Sequence, residues 1–143
     1  SEIHITSNGL PFDYPAALAH EKAHQFGITS EAEANLFSFI ICTTSEDKRL
    51  QYSAYMIFLT YFMNDASNLE VYHSYVKKID RRVINDILYR QKYYRNLQNK
   101  TLDKVQSVAY DAYLKTNNIK SGIKNYDHVV ALIISWFNNK DKS

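Results

Sequence analysis

Hydrophobic residues recur along this chain mainly at helical spacing, three or four residues apart. Asp13 can cap a first helix that carries residues 16–25 and stops at Gly27, since glycine readily adopts the left-handed conformation that ends many helices. Ser30 and Glu33 have the spacing of a capping box, which predicts that a second helix begins at once. The apolar face of this second helix consists of Leu36, Phe37, Ile40 and Ile41.

The rest of the chain continues in the same way after Ser45, which begins a third helix. Helical patterns follow around residues 69–79, 83–97, 102–114 and 128–137. Caps are expected at Asp80, Thr101 and Asp127, and residues 116–122 have the composition of a loop. The pattern therefore predicts six or seven helices.

One stretch departs from helical spacing. Residues 2–6, EIHIT, alternate polar and apolar side chains and predict a short strand or hairpin. Only 3 Gly and 2 Pro occur among 143 residues, which favours few tight turns and long helices. We predict a mainly α, multi-helix fold with a short N-terminal β strand or hairpin, and a single domain over residues 1–143.

The overall composition excludes several classes of protein. A net charge of +2, with 17 basic residues scattered among 15 acidic ones, argues against nucleic-acid binding. Cys42 is the only cysteine, so neither an intrachain disulfide nor a cysteine-based metal cluster can form, and its apolar neighbours predict that it is buried. The longest apolar stretches are far shorter than the roughly 20 residues that span a bilayer.

The stretch HEKAH provides the strongest indication of chemistry. His20 and His24 are four residues apart, so a helix presents both imidazoles on one face, where they can bind a common Zn²⁺. Glu21 lies about 100° further round the helix. It is therefore poorly placed as a ligand, but it can reach a water on the metal and take its proton. This is the logic of the H-E-x-x-H motif, in which the glutamate is a general base.

A catalytic zinc site needs a third protein ligand. Glu31 and Glu33 both lie in the first turn of the second helix, which can fold back across the first helix after Gly27. We favour Glu31, because Glu33 has the competing role of closing the capping box. Asn35 shares a face with Glu31 and can hydrogen-bond a ligand histidine.

These motifs carry a resemblance to known families. The HExxH motif followed by a Glu-x-x-x-Asn segment resembles the gluzincin group of zinc peptidases. More closely, the stretch from HEKAHQFGITSEAEANLF to YSAYM is similar to a bacterial family of unknown function, in which membrane segments precede an HExxH domain. The C-terminal stretch DAYLKTNNIKSGIKNYDHVVALIISW resembles the end of the same family, so the similarity covers nearly the whole chain.

The resemblance implies a zincin-like domain with His20, His24 and a glutamate of EAEAN as zinc ligands and with Glu21 as the base. It also implies that the chain is the soluble piece of a longer, membrane-anchored protein. The substrate class that it implies is a peptide or protein. The side of the membrane and the oligomeric state stay open.

Zinc peptidases usually add a side chain that stabilises the oxyanion of the tetrahedral intermediate. Five residues of suitable type are Tyr113, Tyr126, His128, His73 and Arg82. The pattern favours none of them strongly, and His73 is the weakest candidate because its context is that of a surface helix. The basic stretch at residues 76–82 predicts a solvated helix junction, with contact to anionic lipid as the alternative.

Three functions follow in order of preference. The first is a zinc-dependent metallopeptidase in which Glu21 activates water for attack on a peptide bond. The second is a zinc-binding sensor or interaction domain of a membrane protein, with the metal site but without turnover. The third is a helical scaffold that binds no metal.

Overall fold

The computed structural model describes residues 9–104 and 119–142. Within these residues the chain forms six α-helices: α1 Tyr14–Gln25, α2 Glu31–Thr44, α3 Lys48–Ala66, α4 Tyr72–Val76, α5 Arg81–Lys104 and α6 Ile119–Lys140. The mainly α prediction is confirmed, and the described residues contain no β strand. The strand predicted at residues 2–6 lies outside them.

Several of the predicted boundaries are wrong. Ser45 ends α2 and does not begin α3, whose N-cap is Asp47. Thr101 does not begin a new helix, because α5 continues through it to Lys104. The loop predicted at residues 116–122 is helical from Ile119 onward, so Asp127 lies inside α6 and is not its N-cap. Gly122 costs a helix interior only about 1 kcal/mol relative to alanine, which neighbouring helix-forming residues and tertiary contacts can offset.

The described residues fall into two compact units, one within residues 1–69 and 125–143 and the other within residues 70–124. The first unit contains α1, α2, α3 and most of α6, and the second contains α4 and α5. Among the described helices, none is both long enough and apolar enough to cross a membrane.

Small residues let the first three helices pack closely. Ala23 on α1, Ala34 on α2 and Ala54 on α3 are all fully buried. Two buried serines also join the helices through one residue: the Ser38 hydroxyl donates to the Ala16 carbonyl at 2.7 Å, and the Ala16 N–H donates to Ser53 Oγ at 3.2 Å. Since every buried side-chain polar atom described has a partner, these serines connect the helices without leaving a buried polar atom unsatisfied.

Phe39 is the centre of the aromatic core of this unit. Its ring makes edge-to-face contacts with Phe58 at 5.2 Å and with Trp136 at 6.1 Å between ring centroids, and Phe137 lies 5.9 Å away. These contacts attach α3 and α6 to α2. Cys42, one turn further along α2, is buried as predicted, and burial raises the pKa of its thiol.

We expect Phe39→Ala to lower the free energy of unfolding by about 3–5 kcal/mol, because it removes a buried ring and leaves a cavity between three helices. Chemical denaturation followed by circular dichroism measures the change. Phe26→Ala is the matched control, since Phe26 is 74% exposed and its loss should change stability by less than about 1 kcal/mol. Equal losses for the two variants would contradict the central role of Phe39.

The second unit is built around α5. Ile87 is buried on one face of this helix. Asp80 caps the helix as predicted: its carboxylate accepts from the Arg82 N–H at 2.8 Å and pairs with the Arg82 guanidinium at 2.9 Å. Hydrogen bonds from Arg82 lower the pKa of Asp80 to about 2, so this cap stays charged at neutral pH.

Candidate metal centre

The turn between α1 and α2 brings the end of one helix against the start of the next. Gly27 has a φ of +95°, in the left-handed region that favours glycine. Its N–H donates to the His24 carbonyl at 3.0 Å, and the Ile28 N–H donates to the Ala23 carbonyl at 3.1 Å, which together form a Schellman motif. The chain then reaches Ser30, whose hydroxyl caps α2 by accepting from the Glu33 N–H at 3.4 Å.

Three side chains meet where the last turn of α1 faces the first turn of α2. His20 Nε2 lies 3.1 Å from His24 Nε2. The Glu31 carboxylate lies over both rings, with Oε2 at 3.2 Å from His20 Nε2 and Oε1 at 3.3 Å from His24 Nε2. The structure therefore brings together the two predicted histidines and the favoured glutamate.

The dimensions of this cluster match those of a zinc site. Ligand atoms bound tetrahedrally to zinc, at about 2.0–2.1 Å each, lie roughly 3.3 Å from one another. The two Nε2 atoms are 3.1 Å apart, and each lies 3.2 or 3.3 Å from a different oxygen of the Glu31 carboxylate. In the described part of the chain, His20, His24 and Glu31 are also the one group of three or more His, Cys, Asp or Glu residues whose potential ligand atoms all lie within 4.8 Å of one another.

The Nδ1 atom of each imidazole, on the side of the ring away from the cluster, is held by a hydrogen bond. His24 Nδ1 lies 2.7 Å from the Ile28 carbonyl, which can only accept, so the proton is on Nδ1. His20 Nδ1 lies 2.9 Å from Asn35 Oδ1, as the sequence predicts for Asn35. In the neutral tautomers that result, both Nε2 lone pairs face the cluster.

This arrangement is a donor set that suits a metal cation. Two imidazole nitrogens lie 3.1 Å apart, and one carboxylate faces both of them. The cluster is also accessible, because Glu31 keeps 58% of its side-chain surface exposed, against 19% for His20 and 28% for His24. An ion can therefore enter from the Glu31 side.

Glu21 and Glu33 stand outside the cluster. Glu21 follows His20 directly on α1 and is half-buried, and no described side chain pairs with it. Glu33 is exposed, and its backbone belongs to the cap of α2. Of the two glutamates considered as third ligand, only Glu31 contacts the histidines.

The five candidates for oxyanion stabilisation are not brought to the cluster by any described contact. His128 is exposed on α6. His73 and Arg82 belong to the second unit, where His73 contacts the ring of Tyr72 and Arg82 pairs with Asp80. Tyr113 and the side chain of Tyr126 lie outside the described residues.

The carbonyl of Ile28 is the one contact of the cluster that sequence reasoning missed. Its position depends on Gly27, whose left-handed conformation turns the chain so that this carbonyl faces back to His24. A glycine three residues after a histidine, at the end of a helix, is the signal from which this contact can be predicted.

Comparison with known proteins gives one match. A family model described as Protein of unknown function (DUF3810) matches residues 1–134. No curated protein and no solved structure matches the chain.

Proposed function

We propose that this chain, which belongs to the family Protein of unknown function (DUF3810), is a zinc-dependent metallopeptidase. The observation that carries the proposal is the convergence of three side chains: His20 Nε2 and His24 Nε2 are 3.1 Å apart, and the two oxygens of the Glu31 carboxylate lie 3.2 and 3.3 Å from them. Two histidines that lie close together by chance would not be expected to have a carboxylate over both rings and a hydrogen-bond acceptor at the Nδ1 atom of each ring.

His20, His24 and Glu31 would hold the zinc. Two imidazoles and one carboxylate are the protein ligands of a large class of catalytic zinc sites. Asn35 and the Ile28 carbonyl would keep both rings in the tautomer that a metal needs, since a ligand nitrogen must be unprotonated. The same donor set, nitrogen with oxygen, makes calcium or magnesium a poor fit.

Zinc in such a site lowers the pKa of a coordinated water and polarises a carbonyl oxygen. Glu21 would accept the proton of the water that attacks the peptide carbonyl, and would then deliver that proton to the leaving amine. Its place directly after His20, on the helix that carries both histidines, suits a base that is close to the metal without binding it. No described partner neutralises its carboxylate.

Two wider features are part of the same proposal. A zincin-like arrangement of the site is supported by the order of the helices: the helix with the HExxH motif is followed by a helix that begins with the proposed ligand Glu31. The resemblance to a family with membrane segments supports attachment of the full-length protein to a membrane, with a peptide or protein as substrate.

A zinc-binding sensor or interaction domain is the second candidate. The observation that favours it concerns the polar contacts of the cluster: in the described part of the chain, its side chains form hydrogen bonds or ion pairs only with each other, with Asn35 and with the Ile28 carbonyl. A zinc site that has no side chain to stabilise the oxyanion of the intermediate can bind the metal without catalysing hydrolysis. Cleavage of peptides by the wild type separates the two functions.

The two glutamates of EAEAN test the ligand set. We expect Glu31→Gln to weaken zinc affinity by more than the roughly 10–100-fold that loss of an outer hydrogen-bond partner causes. Glu33→Gln, the matched control two residues away, should leave affinity unchanged and change stability by about 1 kcal/mol or less, because the cap uses the Glu33 backbone N–H, which glutamine keeps. Competition with a chromophoric chelator measures both affinities. The opposite order would transfer the ligand role to Glu33.

A further inference from the structure

Positive charge is concentrated in one part of the second unit. Residues 77–95 contain seven basic and two acidic residues, a formal charge of +5, although the whole chain carries only +2. One of the two acids, Asp80, is already paired with Arg82. The remainder of the chain is therefore net negative, and this segment differs from it in the kind of partner that it attracts.

Part of this charge lies on the exposed face of α5. Arg81, Leu88, Lys92 and Arg95 are spaced 7, 4 and 3 residues apart, which aligns them along one side of the helix. All four are exposed, and Tyr89 lies at the edge of the same face. We call these five residues the basic stripe. Ile87, which is buried, points away from them.

The cations of the basic stripe have no partners within the described residues. Arg81, Lys92 and Arg95 make no ion pair or hydrogen bond through their side chains there. Between them, Leu88 and Tyr89 each expose 56% of their surface. The face therefore combines three available charges with an exposed aliphatic and an exposed aromatic side chain.

We infer that the basic stripe binds the surface of a membrane that contains anionic phospholipid. Arginine and lysine side chains beside a helix are attracted to anionic headgroups, and each contributes about a fivefold gain in binding. Leucine buries in the boundary between headgroups and acyl chains, where tyrosine also prefers to lie. Nucleic acid fits less well, because its phosphates would face the exposed Leu88. This inference is independent of the metal centre.

Vesicle binding by the whole chain tests the inference. We expect the wild type to cosediment with vesicles of three parts phosphatidylcholine to one part phosphatidylserine, and not with pure phosphatidylcholine. The triple variant R81Q/K92Q/R95Q should lower the partition coefficient about 100-fold, which corresponds to three lost charges. High salt should also lower wild-type binding, because salt screens the attraction between the basic side chains and the anionic headgroups.

Two further variants distinguish binding by the basic stripe from binding caused by the net charge of the chain alone. K22Q/K48Q/K142Q removes the same charge from exposed lysines of the first unit and should change partitioning by no more than about threefold. Leu88→Ser keeps every charge and should weaken binding about tenfold through loss of apolar burial. Circular dichroism verifies that each variant is folded.

Several results would overturn the inference. Equal losses for the two triple variants would mean that net charge, not the stripe, causes binding. Equal binding to both kinds of vesicle, or none by the wild type, would contradict an anionic membrane partner. Tighter binding to single-stranded RNA than to the phosphatidylserine vesicles would assign the stripe to nucleic acid.

Discussion

Glu21→Gln is expected to retain bound zinc while peptide hydrolysis falls by about 10²–10⁴-fold. The substitution keeps the size of the side chain and removes the group that accepts a proton. Glu21 has no contact with His20, His24 or Glu31 among the described interactions, so the metal ligands should not change. This one variant therefore distinguishes zinc binding from peptide hydrolysis.

The assay for this prediction begins with a diverse peptide library and the wild-type protein, because the substrate sequence is the first thing to find. Initial rates on a cleaved peptide are then compared for Glu21→Gln and for Glu46→Gln, an exposed glutamate between α2 and α3 that serves as the control. Equal rates for wild type and Glu21→Gln would show that Glu21 is not the base. A wild type that cleaves no peptide of the library would favour the sensor function.

Removal of either histidine should have the second large effect. We expect His20→Ala and His24→Ala to abolish tight zinc binding, because a site with one imidazole and one carboxylate no longer competes with water for the metal. His73→Ala is the control, since His73 lies in the other unit and contacts only Tyr72 among the described rings. Full occupancy in either variant would exclude that histidine from the ligand set.

The helices next to the site were predictable because their signals are local. Gly27 ends α1, Ser30 caps α2, and the four-residue spacing of His20 and His24 places both on one helical face. Each of these depends on residues within one or two turns, where propensity and capping decide the structure. The short turn predicted that the first turn of α2 would approach the histidines, but the choice of Glu31 over Glu33 rested on the competing capping role of Glu33.

Other features depend on packing that no local pattern contains. Phe39 contacts Trp136, which is almost a hundred positions away along the chain, and such a contact follows from the tertiary fold alone. The start of α6 at Ile119 was missed because Gly122 and the neighbouring asparagines have loop propensity. The contact between the Ile28 carbonyl and His24 was missed because its signal is indirect: it lies in Gly27, which turns the chain, and not in Ile28 itself.

The most direct test of the metal centre is the amount of zinc that the purified chain retains. The wild type is supplied with zinc, dialysed extensively against metal-free buffer and analysed by inductively coupled plasma mass spectrometry. His24→Ala, treated in parallel, corrects for adventitious binding. We predict about one zinc per wild-type chain and essentially none for the variant, because His20, His24 and Glu31 form one site. A wild type that holds no more zinc than His24→Ala would contradict the proposed metal centre.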